Sequence, residues 1–530
     1  MAQGHSRAAQ NARMRAALSS AASVRRWTLV SAILGSSMAF MDGTVVNVAL
    51  PAIQRTLDAT AADAQWIIEA YALFLAALLL VGGALGDRFG RKRVFLVGVI
   101  VFTATSAACA AAQGPGQLIA ARALQGVGAA LLVPGSLALL GANFPEAERG
   151  RAIGTWSAFS GITAAIGPVV GGFLVDHFSW RWAFLLNVPI GVALVLACLA
   201  KVPESHGDTA HGPLDVAGAL LATVGLAGLV FAMIEAPTRQ QPLALVLGIG
   251  LLGVAGLAAF LVREARAANP MLPLHLFRNR NFAGANAVTL LLYAALGGGL
   301  YFVPLNLIQV QGYGATAAGA ALLPFVAIMF ALSRWAGSLV DAVGAKIPLV
   351  VGPGIAAIGF ALFTRIGVGG SYWTTFFPAV CVLGLGMTIT IAPLTTTVMN
   401  ALGEQLAGTA SGVNNAVSRA AGLLAIAAFG AVLAHVFNAG LHDALTSSNV
   451  PRELGEQVIL QQDKLGAITA PADASPAAAA EVRAVVGKLF VTGFRAVMLL
   501  AAGLALAGAA CAAWLIDGRR STPPTKGQAT

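Results

Sequence analysis

Asp42 stands inside the apolar run S-S-M-A-F-M-D-G-T-V-V-N-V-A-L. An acid at membrane depth is expensive and marks a functional site by default. Burial disfavours its charged form, so a carboxyl there can load and release a proton within one working cycle. The plainer reading is a neutral Asp bonded to a neighbouring helix. Arg122, in L-I-A-A-R-A-L-Q-G-V-G, raises the converse problem. A guanidinium in an apolar segment needs a carboxylate, backbone carbonyls or water. Glu69, in W-I-I-E-A-Y, is a second acid near the end of an apolar run. It either faces a central cavity, attracting a cationic substrate or a second proton, or reaches headgroup water.

Two further groups of residues have the types and spacing for movement. The segment G-A-L-G-D-R-F-G-R-K at 83–92 combines turn glycines with Asp87, which can cap a helix start or pair with an arginine. It recurs as G-S-L-V-D-A-V-G-A-K at 337–346, where Asp341 is kept while Arg88 and Arg91 are replaced by alanine. A pure charge anchor would keep the arginines and lose the aspartate, so Gly83, Asp87, Arg88, Gly90, Arg91 and Asp341 are expected to serve conformational change. The run G-I-T-A-A-I-G-P-V-V-G-G holds Gly161, Gly167, Pro168, Gly171 and Gly172. The proline breaks the helical ladder, and the glycines allow a bend and close packing. Tyr71, Phe74, Trp156, Phe159, Asn414 and Arg419 are candidates to line a cavity, against the commoner packing or lipid-facing roles.

The elements that must position these residues are membrane helices. The 530 residues are 58% hydrophobic and 10% charged, where soluble domains carry roughly 25% charged residues. Such a chain cannot cover a water-facing surface. About 20 apolar residues cross a bilayer, and fourteen such runs occur. The first eight are near 27–49, 64–86, 94–113, 117–142, 151–176, 181–200, 214–235 and 242–262. The last six are near 282–306, 315–340, 347–367, 372–398, 408–437 and 489–516.

With the N-terminus cytoplasmic, inner segments hold 20 of the 32 Lys and Arg, while the short outer loops hold only Arg55, Arg181, Arg239 and Arg365. The positive-inside rule therefore puts both ends in the cytoplasm, which needs an even number of spans. The net charge of +10 belongs to these short basic clusters and does not suggest nucleic acid. Cys109, Cys198, Cys381 and Cys511 lie in apolar runs without metal-like spacing.

The two copies of the 83–92 segment lie 254 residues apart, nearly the offset between spans 1 and 9. The expected organisation is an all-α membrane protein with two six-helix bundles and two inserted helices. Its parts are a tail 1–26, a bundle 27–203, the inserted pair 204–263, a connector 264–281, a bundle 282–516 with an outer loop 438–488, and a tail 517–530.

The segment 83–92 resembles the loop 2–3 signature of the major facilitator superfamily. Arg122 with Gln125, Gly126 and Gly128 resembles its span-4 motif, and 161–172 the span-5 motif of its exporters. M-D-G-T-V-V-N-V-A-L-P at 41–51 and W-R-W-A-F-L-L-N-V-P at 180–189 are similar to motifs of its fourteen-span drug:proton antiporters. The resemblance covers all spans, though the second half is matched mainly by topology and repeat. It implies a major facilitator fold, a proton-coupling role for Asp42, and proton transfer involving Arg122. Arg122 would then stabilise ionised Asp42 directly or through water; the alternative is a structural Arg on carbonyls of span 1.

The expectation is a proton-coupled exporter of small amphipathic compounds or drugs in the cell membrane. Export of one metabolite or siderophore, or a non-transporting membrane sensor, are the alternatives. No nucleotide-binding G-x-x-x-x-G-K-[ST], H-E-x-x-H or G-x-S-x-G occurs. No enzyme activity and no cofactor is therefore expected beyond the proton gradient. The expected partners are substrate, protons and the bilayer; a periplasmic adaptor is not indicated.

Overall fold

A computed structural model describes residues 2–207, 215–238, 240–268, 270–402 and 406–517, apart from the side chains of residues 2–21, Ala147, Asp341, Ala407 and Gly408. Arg239, Arg519, Arg520 and Lys526, counted above, and the side chains of Arg7, Arg13, Arg15 and Asp341 lie outside the described residues.

Fourteen described helices are long and apolar enough to cross a membrane. Spans 1–6 are Ala22–Leu57, Ala61–Phe89, Arg91–Ala111, Pro115–Asn143, Glu148–His177 and Arg181–Lys201. Spans 7 and 8 are Val216–Glu235 and Leu243–Arg266. Spans 9–14 are Arg280–Val310, Ala315–Val340, Lys346–Phe363, Tyr372–Asn400, Thr409–Thr446 and Pro476–Leu515. Helices satisfy every backbone group internally, which lipid requires.

The outer loop is shorter than the expected 438–488. Span 13 runs on to Thr446, span 14 begins at Pro476, and between them lie a short helix Arg452–Ile459 and a 3-10 turn Gln462–Ala467. The extra turns are polar, so a hydropathy scan stops before them.

Packing repeats along the chain. Spans 2 and 3 both pack on span 4, span 1 on span 5, and spans 1 and 3 on span 6. Spans 10 and 11 both pack on span 12, span 9 on span 13, and spans 9 and 11 on span 14. The pattern is the same, displaced by eight spans. Spans 7 and 8 pack on each other, and span 7 also touches span 2 and span 13. Trp66 Nε1 on span 2 donates to Glu235 Oε1 on span 7 at 3.0 Å.

Fourteen crossings return the chain to the face on which it starts, the terminal face. On the far face the two sixes close on each other. A side chain at Gly172 of span 5 would collide with the backbone of Ala315, and one at Gly319 of span 10 with the Pro168 carbonyl. Asp176 accepts from the backbone N–H groups of Ala315 (2.9 Å) and Thr316 (2.8 Å), fixing the start of span 10. Gln309 Nε2 donates to Gln54 Oε1 at 2.9 Å, and Lys464 of the loop pairs with Asp58 at 2.6 Å. Toward the terminal face these spans part: a side chain added at Gly154 or Gly161 on span 5, or at Gly337 on span 10, would meet open space.

Candidate functional site

Span 4 carries Arg122 against span 2 because Gly126, one turn on, leaves no room for a side chain over the Tyr71 carbonyl. The close approach lets Arg122 Nε donate to the Ile67 carbonyl at 3.0 Å. Span 1 presents Asp42 from the other side, and Arg122 Nη1 donates to Asp42 Oδ2 as an ion pair with both side chains fully buried. Arg122 Nη1 also donates to Gln125 Oε1 at 2.7 Å.

The other carboxylate oxygen is equally occupied. Asp42 Oδ1 accepts from Gln125 Nε2 at 2.9 Å and from Asn187 Nδ2 at 3.2 Å. Span 6 joins helices Arg181–Leu185 and Asn187–Lys201 through Leu186, whose backbone stays helical. Asn187 faces inward, where its Nδ2 also donates to Ser106 Oγ at 3.1 Å. Ser106 Oγ in turn donates to the Phe184 carbonyl at 2.8 Å. The Tyr71 ring lies 4.2 Å and the Phe184 ring 5.7 Å from the guanidinium carbon of Arg122. Spans 1, 4 and 6 thus meet at one carboxylate, and spans 2 and 3 join the network through Arg122 and Asn187. Two charges withdrawn from water stay stable only with this much hydrogen bonding, and removing one partner costs about 3–5 kcal/mol. The arrangement can hold Asp42 ionised, and a proton arriving on it would remove the charge that draws Arg122.

Arg122 meets Asp42 directly and takes its backbone contact from span 2, so the alternative of carbonyls of span 1 falls away. Several other expectations change here. Tyr71 is buried and does not line a cavity: its ring covers Arg122 and its hydroxyl donates to the Ala39 carbonyl at 3.0 Å. Asn414 donates to Asn286 Oδ1 (3.2 Å) and Thr289 Oγ1 (2.6 Å) on span 9, so it ties two helices of one half together. Trp156 donates to Ser36 Oγ at 3.0 Å, Phe74 packs against Gly126, and Phe159 is exposed. Glu69 does not reach headgroup water. It is 0% exposed, and neither carboxylate oxygen has a hydrogen-bond partner. Arg495, on span 14, donates from Nε and Nη2 to the Ile366 carbonyl. Arg419 is half-buried, with Nε donating to Asn415 Oδ1 at 3.0 Å.

In the 83–92 segment Asp87 caps no helix; it pairs with Arg91 at 2.7 Å, while Arg88 is exposed. The start of span 3 is held instead by Glu204, which accepts from the N–H groups of Lys92 (2.9 Å) and Arg93 (3.2 Å). Gly90, with φ 108°, sits against that carboxylate. Gly83 makes only ordinary contact with Pro134. In the span-5 run, Gly167 and Gly171 pack on span 1 and Gly172 on span 10, but Gly161 faces open space, so it permits no close contact.

Gln125 and Asn187 stood inside quoted motifs without a role, and Ser106 and Glu204 stood outside them. Amides and hydroxyls at membrane depth are a signal for the first three. Glu204 is an acid amid basic terminal-face segments.

The sequence profile of the Major Facilitator Superfamily matches residues 32–426. The Tetracenomycin C resistance and export protein of Streptomyces glaucescens is 33% identical over 497 residues, covering 92% of this chain and 91% of that protein. Multidrug resistance protein Stp of Mycobacterium tuberculosis (strain CDC 1551 / Oshkosh) is 35% identical over 435 residues, covering 82% of this chain and 80% of that protein. Among solved structures, a bacterial homolog of the human lysosomal transporter Spinster, inward-facing and unoccupied, superposes with a TM-score of 0.61 at 16% identity. That match covers 92% of this chain and 97% of that one; at this identity the likeness is one of fold.

Proposed function

Since the chain belongs to the major facilitator superfamily, we propose that it is a proton-driven exporter of small amphipathic compounds. It sits in the cell membrane with both termini in the cytoplasm, so the terminal face is the inner face. The observation that carries this reading is the fully buried Asp42–Arg122 pair, joined by Gln125 and Asn187. A structural ion pair needs no such investment of helices around one carboxylate. A carboxylate that must gain and lose a proton needs a cation to hold its charged form.

In the proposed cycle Asp42 is ionised and bound to Arg122 while the protein opens toward the cytoplasm. In that state the compound enters from the cytoplasm and the protein turns outward; there a proton from outside neutralises Asp42 as the compound leaves, and the charge-assisted bonds to Arg122 lose about half their strength. The loosened contact between spans 1 and 4 allows the two sixes to rock about their seam. Glu69, enclosed between span 2 and the far-face closure, is a second site for a proton from outside. Gly167, Gly171 and Gly172 form the span-5 seam that closes on spans 1 and 10, and Asp87 with Arg91 steadies the loop between spans 2 and 3. A membrane potential of 100 mV supplies about 2.3 kcal/mol per charge moved.

Purified protein in liposomes loaded with a pH-sensitive dye tests the reading. Adding amphipathic aromatic compounds, anionic, neutral and cationic in turn, to wild-type vesicles is expected to move protons with at least one of them. Asp42→Asn vesicles are expected to show none of that movement. Full proton-coupled transport by Asp42→Asn overturns the mechanism.

A further inference from the structure

Span 13 carries an arginine that no carboxylate of the described protein neutralises. Arg419 lies ten residues in from Thr409, roughly 15 Å along the helix and so near the middle of a ~30 Å hydrocarbon core. A cation at that depth is costly and occurs where it has a partner or faces water. Its protein contact is Asn415 Oδ1, reached by Nε, and its two terminal nitrogens make no hydrogen bond among the described residues.

The face on which it stands is polar. Ser411, Asn415, Ser418 and Arg419 follow helical spacing, and Ser411 and Asn415 are exposed. Ala410 and Val413 point the other way, into the core with Phe282 and Leu394. A side chain added at Gly412 would make ordinary contact with Leu80 on span 2. The stripe therefore lies on the side of span 13 that meets the first six spans. The two acids at comparable depth do not compete for Arg419, because Asp42 is paired with Arg122 and Glu69 is enclosed.

We propose that Arg419 is the anchor for an anionic group of the transported compound, a carboxylate or acidic phenol on an apolar aromatic body. The guanidinium fork matches a carboxylate in two-point geometry, and Asn415 holds it in place. The inference rests on the export reading and deepens it, naming charge as the feature that selects substrates.

The test is equilibrium binding to purified protein without any gradient, so its outcome is independent of proton coupling. The probes are anthraquinone-2-carboxylate, its neutral carboxamide and a trimethylammonium-methyl analogue. Wild type is expected to bind the carboxylate at least tenfold tighter than the carboxamide, and the cation weakest. Arg419→Gln is expected to lose at least tenfold for the carboxylate and nothing for the carboxamide, which also shows the fold intact. Arg419→Lys is expected to recover part of the loss, keeping the charge but not the fork. A wild type that does not prefer the carboxylate overturns the assignment. So does an Arg419→Gln protein that keeps that preference, or one that weakens both probes alike. If the carboxylate binds as expected but moves no protons in liposomes, the assignment stands and the proton-coupling reading falls.

Discussion

Asp42 and Arg122 lie eighty positions apart in the chain and meet as an ion pair with neither side chain exposed. Each is the other's neutralising partner, and Gln125 bridges them by accepting from Arg122 and donating to Asp42.

That relationship predicts unequal costs for single and double changes. Asp42→Asn leaves a buried guanidinium without its carboxylate, and Arg122→Gln leaves the reverse. Each is expected to lower unfolding stability by about 3–5 kcal/mol. The double variant is expected to recover most of that, although it does not transport. Denaturant or thermal unfolding of the purified variants reads it. A double variant as unstable as the sum of the singles means the two do not act as a pair.

The far-face closure depends on the absence of a side chain at Gly172. Gly172→Leu is expected to prop spans 5 and 10 apart. In a background with the four cysteines replaced, a cysteine at Gln65→Cys should react several-fold faster with an impermeant maleimide added outside. Gly161→Leu, where the added side chain meets open space, should leave the rate unchanged.

Glu204→Ala removes the acceptor for two N–H groups at the start of span 3. The expected cost is that of a lost helix cap, about 1 kcal/mol. Amide exchange at Lys92 and Arg93 should speed up while span 4 keeps its protection. Unchanged exchange would show that the carboxylate holds nothing.

Glu235→Ala deletes the acceptor for Trp66 and with it the polar tie between span 7 and span 2. Stability should fall by about 1 kcal/mol, with faster exchange at the far-face end of span 7. Substrate-dependent proton movement should persist. Its loss would assign the inserted pair a part in the transport cycle.

Much of the architecture was legible in the sequence. Apolar runs located all fourteen spans, because crossing a bilayer sets a length and hydropathy that each segment meets alone. The 254-residue repeat anticipated packing that recurs after eight spans. Asp42, Arg122 and Glu69 stood out because charge is rare where it is costly. The scan fell short where helices leave the apolar zone, as at the far ends of spans 13 and 14.

What each polar side chain touches was decided only by the fold. In lipid, apolar surface does not favour one rotation of a helix over another. Rotation follows from close packing of small residues and from hydrogen bonds between helices. Gly126 sets Arg122 against Ile67, Asn187 meets Asp42, and Tyr71 becomes a cover over Arg122. Asp42, Arg122 and Glu69 all entered the reading as lone intramembrane charges. Tertiary packing joined the first two, and left Glu69 enclosed without a partner. A segment's cost in lipid is a local sum over its residues, whereas a partner is fixed by how several helices turn against one another.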